Sequence, residues 1–434
     1  MRALLKKLIP KPFIGFYHYS LARIAAIWYR HPSKKLIVIG VTGTNGKSST
    51  VQLLAQILTH LDHKVGYTTT AGFNIGGKEI ENKLKMTMPG RFLLQNLMSQ
   101  MVGAKCTYAI IETTSLGIEQ YRHLGIQYDT IVFTNLTPEH IEAHGGFDAY
   151  RKAKGKLFAH TSRLARKKRD GKTVQKISVI NQDDEAGDYF GSFPLDEVLR
   201  YSWDGDAESD IIATKKKSSE KGVSFTLGKI KMSIPLFAEF EQKNTFAAIA
   251  TCKALDLDLK KVAKVLKELQ PIPGRFEIID AGQPFKVVVD YAYEPYALKA
   301  LFQSAKKLHP KRIIGIHGAC GGGRDVAKRP TIGKLAANEE DIVIVTNEDP
   351  YEENPRKIIE EVAAGAKKAG MKEGKNLYLI NDRTEAINFA ISLARKDDMV
   401  LITGKGSEPV MAVAGGKKVP WSDRRAALNA LQAL

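Results

Sequence analysis

The stretch Leu36-Ile37-Val38-Ile39-Gly40-Val41-Thr42-Gly43-Thr44-Asn45-Gly46-Lys47-Ser48 decides the fold. Its continuous apolar start reads as a strand buried on both faces, the kind that parallel sheets use. Val51, Leu54, Ile57 and Leu58 then recur at helical spacing. Between strand and helix, Gly43 to Ser48 has the make-up of a phosphate-binding loop. A nucleotide's phosphates need a concave backbone whose N–H groups point inward, and glycine permits that close approach. Gly43 and Gly46 provide it, with Thr44, Asn45 and Ser49 completing the turn into the helix. Lys47 would neutralise β- and γ-phosphate oxygens, and the Ser48 hydroxyl would ligate Mg²⁺. The common pattern has a glycine where Val41 stands, so this loop is a shortened version. ATP use is the expectation.

Two more apolar runs follow. Tyr108-Ala109-Ile110-Ile111 ends in Glu112, and Thr130-Ile131-Val132-Phe133 ends in Thr134-Asn135. Open α/β sheets bind ligands at the carboxyl ends of their strands. Magnesium prefers oxygen ligands, so Glu112 is the expected second protein ligand. After Pro271-Ile272-Pro273-Gly274 the alternation restarts, with strand patterns at Phe285–Val289, Arg312–Ile316, Asp341–Val345, Asn376–Ile380 and Met399–Ile402. Helical patterns at Tyr296–Lys307, Pro355–Lys368 and Arg383–Arg395 separate them. The expected fold is α/β: a helical appendage over 1–35, a P-loop-type central ATPase domain with a mostly parallel sheet over 36–272, and a Rossmann-like α/β domain over 273–434.

At 434 residues the chain exceeds the size of one core, which fits two or three domains. Cys106, Cys252 and Cys320 have neither disulfide nor metal-ligand spacing, so a reducing cytoplasm is expected. The net charge of +18 invites a nucleic-acid reading. No aromatic platform accompanies the basic runs Arg163–Arg169 and Lys215–Lys217, so these read as solvated faces and nucleic acid is not an expected partner. No apolar stretch is long enough for a membrane span. Residues 1–31 mimic a signal peptide, but Pro10, Pro12 and Arg23 interrupt them and no small-residue cleavage site follows. Phe16 to Tyr29 suits an amphipathic helix instead, packed on the body or in weak contact with an anionic membrane surface.

Those residues, with Phe133-Thr134-Asn135-Leu136-Thr137-Pro138-Glu139-His140-Ile141-Glu142-Ala143-His144-Gly145 and then Tyr150, Ala153, Lys154 and Leu157-Phe158, resemble the Mur ligase family, ATP-dependent amino-acid ligases of cell-wall precursor synthesis. The resemblance runs from about residue 36 to the end and is nearest the branch that adds the third peptide residue to UDP-N-acetylmuramoyl-dipeptide. It implies that Glu112 and His140 ligate magnesium, and that CO₂ carbamylates Lys154 into a further oxygen ligand. Taken alone, Lys154 reads as a surface helix lysine. The resemblance further implies Asn244 near the adenine, Arg275 near the ATP phosphates and Asp290 on the ribose. Glu241 and Tyr293 replace an asparagine and a histidine usual in those motifs.

Thr87, Thr114, Gln120 and Arg122 fall on family contacts to the nucleotide-sugar peptide, with Arg122 a physically sensible anion clamp. Met88 replaces a threonine there. Arg324 and Asp325, and Glu408 within Gly404-Lys405-Gly406-Ser407-Glu408, match motifs for the incoming amino acid. Where enzymes using meso-diaminopimelate carry Asp-Asn-Pro-Arg, this chain reads Glu348-Asp349-Pro350-Tyr351, without the arginine for the distal carboxylate. An acidic pair suits a side chain ending in an amine, which points to L-lysine; otherwise Glu348, Asp349, Glu352 and Glu353 form a solvated turn. The family usually holds uridine diphosphate in an N-terminal domain of its own, and about 35 residues precede the core here. Either the uridine end is held differently or the acceptor is not the ordinary one.

The implied reaction has Lys47, Ser48, Glu112, His140 and carbamylated Lys154 placing ATP and Mg²⁺ so that the acceptor carboxylate attacks the γ-phosphate. An acylphosphate forms and the amine of the amino acid displaces phosphate. Sites on separate domains imply closure, and a monomer is expected. Folylpolyglutamate synthases, ligases of lipid-linked precursors and a non-catalytic nucleotide-binding subunit are the rivals. The Thr114–Arg122 and Gly404–Glu408 motifs disfavour the first, the lack of clustered cysteines the second, and retention of the phosphate and metal residues the third.

Overall fold

A computed structural model describes residues 11–139, 144–169, 171–323 and 326–434. The chain forms two compact units, Met1–Pro235 with Glu241–Leu269, and Leu236–Phe240 with Gln270–Leu434.

The first unit opens with α1 (Lys11–Trp28), β1 (Ile37–Thr42), α2 (Lys47–His60), β2 (Val65–Thr68), β3 (Gly72–Ile75), β4 (Lys78–Glu81), α3 (Arg91–Gly103), β5 (Tyr108–Glu112), α4 (Ser115–Glu119), β6 (Thr130–Phe133) and α5 (Phe147–Ser162). The hairpin β7 (Lys167–Arg169) and β8 (Lys172–Val174) precedes β9 (Ile177–Asn181), α6 (Gly187–Gly191), β10 (Glu197–Ser202), β11 (Ile211–Ser219), β12 (Gly222–Leu227) and β13 (Ile230–Ile234). Helices α7 (Glu239–Ala254) and α8 (Leu259–Val265) follow.

Eleven strands form one sheet in the order β13-β12-β11-β10-β9-β6-β1-β5-β2-β3-β4. Its middle, from β11 to β2, is parallel, and both flanks are antiparallel. The apolar runs fall where the sheet is covered on both sides: β5 and β6 are wholly buried and β1 nearly so. Outermost β4, Lys-Glu-Ile-Glu, is mostly exposed, and outermost β13 carries exposed Lys231 and is followed by Pro235. Register then sets the site. Val41 pairs with Glu112 on one side of β1 and Thr42 with Phe133 on the other, so the phosphate loop emerges between Glu112 and Thr134-Asn135.

The basic run 163–169 is not wholly solvated as expected. Lys167 is buried and bonds Asp129 at 2.5 Å, and buried Lys176 bonds the same carboxylate at 2.9 Å. Asp129 also accepts the Val38 N–H at 2.9 Å, so one acid ties β1 to two buried cations that would otherwise be uncompensated.

The second unit comprises β14 (Glu277–Ile279), β15 (Lys286–Asp290), α9 (Pro295–Lys306), β16 (Ile313–His317), α10 (Lys328–Glu339), β17 (Ile342–Thr346), α11 (Pro355–Lys368), β18 (Leu377–Ile380), α12 (Arg383–Leu393), β19 (Met399–Thr403), the hairpin β20 (Val410–Val413) and β21 (Lys417–Pro420), and α13 (Asp423–Gln432). Its sheet runs β14-β15-β19-β16-β17-β18, parallel except for β14. Helix α11 shows why the pattern was readable: Asn354 caps the Arg356 N–H, Pro355 takes the first turn, and Lys367 and Lys368 meet the carbonyl end. Helices α10 and α11 approach through glycines; a Cβ on Gly333 would lie 1.9 Å from the Val362 carbonyl oxygen, and one on Gly365 1.8 Å from that of Pro330. Both units are the α/β architectures expected.

Candidate active site

The phosphate loop is shaped by its glycines and clamped by β6. Gly46 has φ +80°, and a Cβ there would lie 2.1 Å from Asn244 Oδ1; a Cβ on Gly43 would lie 2.0 Å from Thr134 Oγ. Thr44 N–H donates to the Asn135 carbonyl (2.8 Å), Asn45 N–H to Asn135 Oδ1 (2.8 Å), and Asn135 Nδ2 back to the Asn45 carbonyl (3.0 Å). Thr134 Oγ donates to the Asn45 carbonyl at 2.8 Å, and Thr44 Oγ meets Tyr150 OH at 3.1 Å. Fixed this way, the loop leads into α2 with no side-chain cap on the helix start, where amides and the helix dipole favour an anion. Lys47 Nζ donates to the Thr44 carbonyl at 2.6 Å, folded over the loop it would serve. Ser49 is buried in the first turn of α2.

Beside the loop, Ser48 Oγ donates to Glu112 Oε2 at 2.7 Å. The Thr70 amide donates to the same oxygen at 3.0 Å, and Thr70 Oγ meets Thr87 Oγ at 2.9 Å. A chain Ser48–Glu112–Thr70–Thr87 therefore joins the phosphate loop to a residue expected at the acceptor. Hydroxyl and carboxylate are the hard donors that magnesium takes, so Ser48 and Glu112 fit that ion. His140 lies outside the described residues.

Lys154 is not the surface lysine its residue type suggests. It is 1% exposed, donates from Nζ to the Gly43 carbonyl at 2.5 Å and lies 4.6 Å from the centre of the Tyr150 ring. Burial, then the charge of Lys47, hold its pKa well below the ordinary lysine value, against the opposing pull of Glu139 and Glu112.

Thr114 Oγ caps α4 by accepting the Gly117 N–H at 3.1 Å, and Gln120 and Arg122 follow this short helix. Arg122 donates to Gln120 Oε1 at 2.6 Å and to the Met88 carbonyl. A residue that sequence reasoning missed stands beside it: Arg91, the first residue of α3, donates to the Gln120 carbonyl. Neither guanidinium meets a carboxylate among the described residues, and both Nε atoms are buried without a partner. Burial, then the nearby Arg91, push Arg122 down to about 10. Two arginines on one glutamine, neither facing a carboxylate among the described residues, have the chemistry to take an anion, and nothing in the local pattern around Arg91 announced it.

The remaining expected residues belong to the second unit, apart from Asn244, which sits against Gly46. Asp290 is buried and accepts the Phe276 and Ala292 amides, each at 2.7 Å, so its oxygens brace the residue that leads into β14 and those that follow β15. Arg275 stacks on the Tyr291 ring, 4.3 Å from its centre, and Tyr291 OH donates to Glu408 Oε1 at 3.0 Å. Fully buried Lys405 bonds Glu408 (2.6 Å) and Asp349 (2.9 Å). The alternative of a solvated acidic turn is overturned for Glu348 and Asp349, while Glu352 stays exposed and Glu353 half-buried. Glu348 and Asp349 are buried, Glu352 accepts the Gly415 and Gly416 amides, and Glu353 takes Arg329 and the Gly323 amide. Glu348 alone keeps a buried oxygen, Oε2, without a partner; burial, then Asp349, raise its pKa. Arg324 and Asp325 lie outside the described residues.

Comparison with known proteins supplies the deciding observation. Residues 41–252 match the Mur ligase middle domain and residues 274–406 the Mur ligase glutamate ligase domain. The chain belongs to the Mur ligase family. It is an ATP-dependent ligase that forms amide bonds. It is similar to the UDP-N-acetylmuramoyl-L-alanyl-D-glutamate–2,6-diaminopimelate ligase of Geobacillus kaustophilus, 32% identical over 428 residues that cover 98% of this chain and 84% of that protein. With the UDP-N-acetylmuramyl-tripeptide synthetase of Roseiflexus it shares 35% identity, covering 96% and 82%. A solved diaminopimelate ligase of the same description superposes with a TM-score of 0.58 at 28% identity, covering 92% of this chain and 78% of that one. Within this Mur ligase the middle-domain match spans the whole phosphate loop, Glu112 and Lys154.

Proposed function

We propose that this ligase extends UDP-N-acetylmuramoyl-L-alanyl-D-glutamate by one amino acid in peptidoglycan-precursor synthesis, as a cytoplasmic monomer. The names of its relatives support the acceptor. The observation that carries the reading is the hydrogen-bonded chain Ser48–Glu112–Thr70–Thr87, which couples a phosphate loop to a residue that the family resemblance assigns to the acceptor.

In this reading the α2 N-terminus and Lys47 hold the ATP phosphates, and Arg122, Arg91, Gln120, Thr114 and Thr87 hold the acceptor. The acceptor's side-chain carboxylate attacks the γ-phosphate in line and ADP leaves. The amine of the amino acid attacks the resulting acylphosphate, loses a proton and expels phosphate, forming the amide. Lys47 and the loop amides stabilise the charge that develops on the transferring phosphoryl group. Ser48 and Glu112, with His140 and carbamylated Lys154, would hold Mg²⁺, which supplies charge neutralisation at the phosphates. A neutral lysine is the form whose amine adds to CO₂, giving a carbamate and releasing a proton, and the depressed pKa of Lys154 supports that role. Catalysis is positioning and electrostatics, with no protein nucleophile.

For the amino acid we assign L-lysine. Tyr351 stands where an arginine would bind a distal carboxylate, and Glu348 holds one uncommitted buried oxygen for an ammonium. Phosphate release is measured with this acceptor across a panel of amino acids. Release with lysine is expected. A strong preference for meso-diaminopimelate overturns the lysine assignment, and no release with any amine overturns the acceptor.

A further inference from the structure

Helix α1 is seated on the first unit by one side and shows aromatic rings on the other. Ala22, Ala25 and Ala26 are buried, and the seat is close: a Cβ on Gly125 would lie 2.9 Å from that of Ala26. On the opposite arc, Phe16 is 71% exposed, Ile24 50%, Ile27 64% and Trp28 73%, with Tyr17 and Tyr19 exposed beside them. At 3.6 residues per turn these six side chains share one half of the helix, with Arg23 among them. Charge says what covers that face. Arg2, Lys6, Lys7, Lys11, Arg23, Arg30, Lys34 and Lys35 precede the first acid of the whole chain, Asp62. Arg23, Arg30, Lys34 and Lys35 are exposed.

We infer that α1 is an interfacial helix that docks the enzyme reversibly on an anionic phospholipid surface. Tyrosine and tryptophan carry a polar group on an apolar ring and are the residues of the membrane–water boundary, where one end stays wet. Basic residues flanking such a face add attraction to anionic headgroups and draw their own heads up to the interface. A second copy of the chain is disfavoured, because its acid-free N-terminal region would meet an identical one, cation against cation. Among the described residues no helix is long and apolar enough to cross a membrane. The seat also places docking near chemistry. Tyr121 and Gly125, against which α1 packs, flank Arg122 in sequence, and Tyr17 lies within the field of Arg91.

The test is sedimentation of the full chain with vesicles of phosphatidylcholine alone, or of equimolar phosphatidylcholine and phosphatidylglycerol, alongside light scattering without lipid. Binding at least about tenfold stronger to anionic vesicles and weakened by salt is expected. The exposed-face variant F16S/I27S/W28S should lose it at least about tenfold while keeping wild-type ATP-dependent ligase turnover in solution, which shows that it folds. Wild-type protein that stays unbound at low salt, a variant that still sediments like wild type, or a dimer that this variant abolishes would each overturn the inference. Since turnover is read separately, loss of the catalytic reading would not be confused with loss of this one.

Discussion

Lys154 is the side chain whose surroundings contradict its type most. Its signal was nevertheless present: Tyr150, Ala153, Leu157, Phe158 and Thr161 are buried at helical spacing along α5, and Lys154 falls on that stripe. Residue type alone argued for the surface, and only the resemblance argued otherwise. With a depressed folded-state pKa, the unfolded chain binds one more proton than the folded one between that value and the ordinary ~10.4, so stability rises with pH across this window. In bicarbonate-free buffer Lys154→Met should flatten that rise and raise the neutral-pH Tm, while abolishing ligase turnover; thermal melts from neutral to alkaline pH check it. Arg91 was not legible, because an arginine at a helix start after Pro89-Gly90 has no periodic or motif context. Arg91→Met should raise the acceptor KM roughly tenfold to a hundredfold, the worth of a charge-assisted contact, with kcat and the ATP KM little changed. Steady-state kinetics with each substrate varied in turn decide it.

At the level of elements, burial on both faces and explicit end signals made several elements legible, although buried β2 and β9 went unread. Helix α11 begins at Pro355 and ends at Lys368, the bounds its cap and charges dictate, and β6 coincides with the run Thr130-Ile131-Val132-Phe133. Strands β3 and β4 escaped, since Gly-Phe-Asn-Ile and Lys-Glu-Ile-Glu are short and gain order from pairing rather than from a pattern of their own. The glycines that set element contacts were visible as residues but not as contacts. Gly333→Ala pushes a methyl into the Val362 carbonyl and should cost about 1–3 kcal/mol through separation of α10 and α11, read by denaturant melts. Gly46→Ala meets both a positive φ and the Asn244 side chain, so ATP-dependent turnover should fall by at least an order of magnitude, with a stability loss of about 1–3 kcal/mol.

For the whole molecule, the two α/β units could be anticipated because each repeats the same alternation on either side of Pro271–Gly274. The breadth of the first sheet could not, because its flanking strands are half-solvated and polar. That breadth has a consequence for how the protein behaves in concentrated solution. Eleven strands in one sheet leave only two rows of unpaired backbone groups, on β4 and β13, and any such row can template another chain. Lys78, Glu79 and Glu81 guard one, and Lys231 and Pro235 the other. Replacing Lys78, Glu79 and Glu81 with threonine should leave the fold within a few degrees of its melting point yet cause association at high concentration, seen by light scattering. The charges on the outermost strands thus act as a barrier to edge-to-edge aggregation, a protection that the buried strands, already paired on both sides, do not need.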